Sequence, residues 1–137
     1  DNKIPELNKR LTTNMTERLT NMQKVLERAS LRLGEFKSAN SGTDTSSAES
    51  EITTAQARIT SALSSVSAQS QKTYSADSFS SEENLGSTMK ALISQFEADI
   101  KATRDTVTTG KSSVASALKQ IGALLGKGEG TGTGTTN

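Results

Sequence analysis

The side chains that could do chemistry in this chain are few, and their spacing argues against most reactions. None of the 137 residues is His or Cys. Ser-His and Cys-His nucleophiles and the usual zinc ligand sets therefore cannot be assembled. Di-iron bundles of the ferritin type need Glu-x-x-His and are excluded on the same ground. Gly110-Lys111-Ser112-Ser113 resembles the close of a phosphate-binding loop. The first glycine of such a loop would fall at residue 105, which is Asp, and no strand signal precedes it, so the segment reads as helix interior. The carboxylate pairs Glu49/Glu51 and Glu97/Asp99 are two residues apart, which on a helix turns them to different faces. The expectation is not an enzyme, with no catalytic residue, no cofactor and no metal.

Hydroxyls are the abundant polar group that remains. Between Ile52 and Gln71 the only charge is Arg58, while Thr53, Thr54, Thr60, Ser61, Ser64, Ser65, Ser67 and Ser70 fill the other faces. A solvated helix ordinarily carries more charge than this. The stretch reads as a plain solvent face, as a surface small enough to pack closely against another subunit, or as a carrier of O-linked glycans.

These groups sit on three apolar stripes. The first runs Leu7, Leu11, Met15, Leu19, Met22, Leu26, Ala29, Leu33 and Phe36, in steps of three and four that match a coiled-coil seam. Pro5 stands where a missing N–H costs nothing, and Asn40-Ser41-Gly42 ends the segment. The second stripe is Ala48, Ile52, Ala55, Ile59, Ala62 with Leu63, Val66, Ser70 and Thr73 or Tyr74, opened by Ser46 and Glu49 at capping-box spacing. Ser80 and Glu83 offer another such box before the third stripe: Leu85, Met89, Leu92, Phe96, Ile100, Thr103, Val107, Gly110, Val114, Leu118, Ile121 and Leu125. Thr108-Thr109-Gly110 is its weak point, a place for a bend or a close helix crossing.

Charge and composition bound the rest. Residues 1–37 carry eight bases against five acids, 44–83 carry two bases against six acids, and 84–127 carry six bases against three acids. A nearly neutral or acidic middle helix between two basic ones softens their repulsion. A nucleic-acid partner is not expected, because such a surface needs a denser basic stripe with interleaved aromatics. At 31% hydrophobic residues, many of them Ala, the core is thin and elongated. No stretch approaches the 18–20 or so apolar residues of a membrane span. Lys111–Gly126 is amphipathic, yet Lys111 and Lys119 are few for an anionic lipid surface, so packing explains it better than membrane binding. A start at Asp1 reads either as an arbitrary boundary or as the terminus that signal cleavage would leave; Ser and Thr stand where cytosolic helices carry Glu and Lys, so an exported protein is expected.

From Leu31-Arg32-Leu33 through Gly42-Thr43-Asp44-Thr45-Ser46-Ser47-Ala48-Glu49 to Ile59-Thr60-Ser61-Ala62-Leu63, the pattern is a basic amphipathic helix, a short turn and an Ala-rich helix. A Ser-rich joint with Phe79 and a long helix containing Lys101-Ala-Thr-Arg-Asp105 and Leu118-Lys119 follow. This resembles small exported helical proteins of candidate-phyla (Patescibacteria-type) bacteria over about residues 10–125. The resemblance implies an extracytoplasmic location, no established activity and no catalytic residues.

The fold class expected is all-α: an elongated antiparallel three-helix bundle, up-down-up and coiled-coil-like, over residues 1–126. Its helices fall at about 5–38, 46–74 and 81–125, with a Gly/Thr-rich linker-like tail at 127–137. The third helix is expected to overhang, leaving Val114, Leu118, Ile121, Leu124 and Leu125 for self-association. The functional expectation is an extracellular structural subunit of a filament, sheath or layer, a homo-oligomer or polymer. The alternatives are a monomeric helical binding or sensor module and an amphipathic lipid-associating bundle.

Overall fold

In a computed structural model the chain is described over residues 3–74 and 85–133, with side chains over 3–74 and 86–126. Three α-helices fill nearly all of this: α1 Ile4–Ala39, α2 Ser46–Ser70 and α3 Leu85–Thr133. No strand occurs among the described residues, and each helix packs on the other two. The expected box at Ser80 and Glu83 lies outside the described residues.

The helix ends follow from local hydrogen bonding. Pro5 sits in the first turn of α1, where its missing donor is no loss. At the other end, the backbone N–H and the side-chain Nδ2 of Asn40 both donate to the Phe36 carbonyl, at 2.8 and 3.0 Å, satisfying a carbonyl the helix leaves open. The expected capping box on Ser46 is replaced by another arrangement. Asp44 Oδ1 accepts from the Ser46 N–H at 2.9 Å and from its hydroxyl at 2.6 Å, while the Thr45 hydroxyl donates to the Glu49 carboxylate. A carboxylate two residues before Ser46 reaches its free amide and suits the positive end of the helix dipole, which leaves Ser46 as the first helical residue. Lys37 closes the α1–α2 turn with an ion pair to Glu49 at 3.0 Å. The second helix stops at Ser70, short of residue 74. Gln71 and Lys72 donate three residues back to Ala68 and Gln69, tightening the last turn, and Tyr74 folds into the core.

The core divides into two clusters along the bundle. One joins Leu26, Ala29 and Leu33 of α1, Ala48, Ile52, Ala55 and Ile59 of α2, and Val114, Ala117 and Ile121 of α3. The other joins Ile4, Met15 and Leu19 to Ala62, Val66 and Tyr74 and to Phe96, Ile100 and Val107. The overhang expected at Val114–Leu125 is therefore not present, and the unmatched length of α3 lies at its start. Phe96 and Ile100, already a dozen residues into α3, share a cluster with the first turns of α1, so α3 does not start level with α1. Its later turns lie against the second half of α1 instead. Val114 and Ile121 are core residues, Leu124 and Leu125 are half-buried against the same cluster, and Leu118 is exposed at 36%.

Thr108-Thr109-Gly110 lies inside one continuous helix. Gly110 is buried against α2, yet a Cβ there would stand 3.8 Å from the Arg58 carbonyl oxygen and from Leu19 Cδ2, ordinary contact distances. Thr103 and Thr106 return their hydroxyls to the Asp99 and Thr103 carbonyls, at 2.9 and 2.7 Å, which is how β-branched hydroxyl residues are accommodated here. The helix also continues past Gly126 to Thr133, where composition pointed to a linker.

Candidate functional site

The residues that sequence reasoning named for chemistry are dispersed. Gly110, Lys111, Ser112 and Ser113 lie in mid-α3. Glu49 is occupied by Thr45 and Lys37, which hold its carboxyl below the usual carboxylate range, the Thr45 bond being the larger cause. Asp44 is likewise held low by its bonds to Ser46. No group of three or more His, Cys, Asp or Glu able to hold a metal ion occurs among the described residues. No described helix is long and apolar enough to cross a membrane. Of the residues expected to carry self-association, only Leu118 offers an exposed apolar side chain. Using Val114 or Ile121 in a contact would require opening the bundle.

A polar network that the stripes did not reveal ties all three helices at one end of the bundle. Asn8 of α1 donates through Nδ2 to the Gln69 carbonyl at 2.9 Å, and Gln69 Nε2 donates back to Asn8 Oδ1 at 2.9 Å. The same Nε2 reaches the Tyr74 hydroxyl at 2.9 Å, and that hydroxyl donates to Asp99 Oδ2 at 2.5 Å. Gln95 and Lys72 complete the carboxylate, at 2.8 and 3.5 Å. Tyr74 also meets Phe96 edge to face with ring centroids 5.3 Å apart. Asn8 and Gln69 are buried, and Gln69 Oε1 has no hydrogen-bond partner among the described residues.

The electrostatics of this network are those of a tie. Burial, followed by the bond to Asp99, raises the Tyr74 pKa above its ordinary value. Burial alone would raise Asp99, but the bonds from Tyr74 and Gln95 together with Lys72 outweigh it and hold the carboxyl below the usual range. A catalytic acid and base are tuned toward neutral pH, whereas this pair is pushed away from it on both sides. Asn8 had a sequence signal, since it sits on the core line between Ile4 and Met15; Gln69 had one only as the position three after Val66.

Two outer grooves of similar size differ in chemistry. The groove between α1 and α3 has a volume of about 480 Å³ and a floor of Leu11, Met15, Met22 and Val107. Arg18 rims one bank, Arg104 and Lys111 the other, and no carboxylate lines it. None of these three cations has an ion pair among the described residues. The groove between α2 and α3, about 470 Å³, is lined by hydroxyls (Thr54, Thr108, Thr109, Ser112, Ser113, Ser116) with Glu51 and Arg58 as opposite charges.

No family model, curated protein or solved structure matches this chain.

Proposed function

We propose that this chain is a non-enzymatic, elongated up-down-up helical bundle that works by contact, as a binding module whose working surface is the α1/α3 groove. One observation carries the reading: Arg18, Arg104 and Lys111 gather over an apolar floor in that groove, with no carboxylate among its described lining residues. Stability alone gives no reason to gather like charges beside exposed apolar surface. The up-down-up course is supported by the two clusters, which join the start of α1 to the end of α2 and the end of α1 to the start of α2. Light scattering over a concentration series tests it: a mass constant at 14.4 kDa fits a monomeric module.

A second reading is the self-assembling subunit of an extracellular filament, sheath or layer. Leu31, 70% exposed, and Leu118, 36% exposed, favour it, as large apolar side chains open to a neighbour. A mass that grows with concentration, and falls back in Leu31→Ser, selects this reading. Export belongs to both, supported by the hydroxyl-rich faces and by the resemblance to exported helical proteins. O-linked glycans on the α2 hydroxyls are part of the same proposal, checked by intact-mass measurement of protein from its native source.

A further inference from the structure

We infer that the α1/α3 groove receives an acidic amphipathic helix of a partner protein. The inference rests on the reading of this groove as the contact surface, and it names the occupant.

The apolar strip is longer than the groove floor. Val25 follows Arg18 by seven residues on α1, Leu118 follows Lys111 by seven on α3, and Ile93 precedes Arg104 by eleven. All three spacings return to the same side of a helix. Val25, Ile93 and Leu118 are three of the four large hydrophobic side chains that stand exposed among the described residues. From Ile93 to Leu118 the strip runs about 37 Å at 1.5 Å per residue, the length of a helix of three to four heptads. A partner helix laid there would set its apolar stripe between the banks and its flanks beside Arg18, Arg104 and Lys111, which calls for carboxylates on those flanks. Glu97 lies within this strip, four residues after Ile93, and stands two turns, about 10 Å, from Arg104, so the partner's carboxylates are called for at the Arg104–Lys111 end, whose groove it does not line.

The other occupants fit less well. A two-fold contact with a second copy would oppose the three cations to themselves. The ridge around Leu31 could enter the groove of another copy, but Glu27 and Glu35 there are offset by Lys24 and Arg28, so it brings no net negative charge. A lipid surface needs more cations and larger apolar side chains than this strip supplies.

The test uses the full chain and a fluorescein-labelled helical probe of three heptads, with Leu at a and d and Glu at e and g, followed by anisotropy at low salt. A control probe carries Lys at e and g. The Glu probe should bind about tenfold or more tighter than the Lys probe, and added salt should narrow the gap. Arg104→Glu with Lys111→Glu should weaken the Glu probe about tenfold or more and favour the Lys probe. Melting should stay unchanged, since both side chains are exposed. Val25→Asp with Leu118→Asp should weaken both probes. Equal binding of the two probes overturns the acidic partner while leaving the groove as a contact surface. Binding unaffected by either double variant overturns the groove itself. Absence of Glu-probe binding overturns the inference, and two observations then name the true occupant. Co-sedimentation with vesicles of phosphatidylcholine and 30% phosphatidylserine selects a membrane; an oligomer dispersed by Leu31→Ser selects a second copy.

Discussion

The two core clusters are made from the same three helices and differ in what fills them. The one at the α1–α2 turn is aliphatic and Ala-rich, with Ala48, Ala55, Ile59 and Ala117 fully buried. The one at the other end contains Tyr74 and Phe96 and borders the network of Asn8, Gln69 and Asp99. The first specifies little except volume, because apolar side chains of similar size can exchange places. The second fixes a geometry, because a buried amide left without its partner costs free energy that no repacking recovers. The difference teaches that this sequence divides the labour of folding: one end supplies tight burial and the other fixes register.

The largest effect should come from removing a wall of the dry end. Ending the chain at Gly110 deletes Val114, Ala117 and Ile121 from a cluster of ten buried residues. The truncated chain should lose most of its helical circular dichroism and its cooperative melt. Retention of both would mean that the later turns of α3 are surface after all. Next, Ile59→Asp places a charge at a site with no exposure, costing several kcal/mol against a total of about 5–15. An unchanged melting temperature would show that this seam is wrongly placed.

At the wired end the expected losses are smaller but coupled. Asn8→Ala and Gln69→Leu should each cost about 1–3 kcal/mol in denaturant titrations. The double variant should fall short of their sum by more than about 0.5 kcal/mol, since the two side chains bond each other. Strict additivity would dissolve the network into independent contacts. Asp99 and Tyr74 give this end a pH signature. Asp99 is held low in the folded chain, so its contribution is present above the ordinary carboxylate pKa and is lost as pH falls through the depressed folded value. Tyr74 is raised, so its contribution is present below about pH 10 and is lost as pH rises toward the higher folded value. Asp99→Asn should shallow the acid limb of melting temperature against pH. It should not abolish that limb, because Asp44 and Glu49 are also held low. The smallest effect should be a gain: Gly110→Ala adds a methyl at ordinary contact distance and removes the glycine penalty, about 1 kcal/mol.

The division between the ends also explains what was legible in the sequence. At the dry end the stripes of α1 and α2 coincide with the buried residues, Leu26, Ala29 and Leu33 facing Ile52, Ala55 and Ile59, whereas on α3 Ala117 is buried in place of Leu118. At the wired end they part. Leu7, Leu11, Met15 and Leu19 are spaced by four, and each such step drifts about 40° around a helix of 3.6 residues per turn. Leu7 and Leu11 therefore slide to half-buried positions, while Asn8 and Thr12 take the core line. A hydrophobic count passes over both because they are polar. Ser70, four residues after Val66, falls off the core line by the same drift and is exposed, with Gln69 buried in its stead. The candidate groove was hidden differently. Arg18, Arg104 and Lys111 are unremarkable along the chain, and only the packing of α3 on α1 gathers them.

Met22 and Leu63 pack against both clusters, and Gly110 lies between Val107 of one and Val114 of the other. Two adaptable side chains and a glycine thus form the waist of the molecule. All three helix backbones run unbroken through this waist, so they carry a load from one core to the other. In a single-molecule stretching experiment the two cores should therefore yield together, the continuous helices acting as splints across the waist.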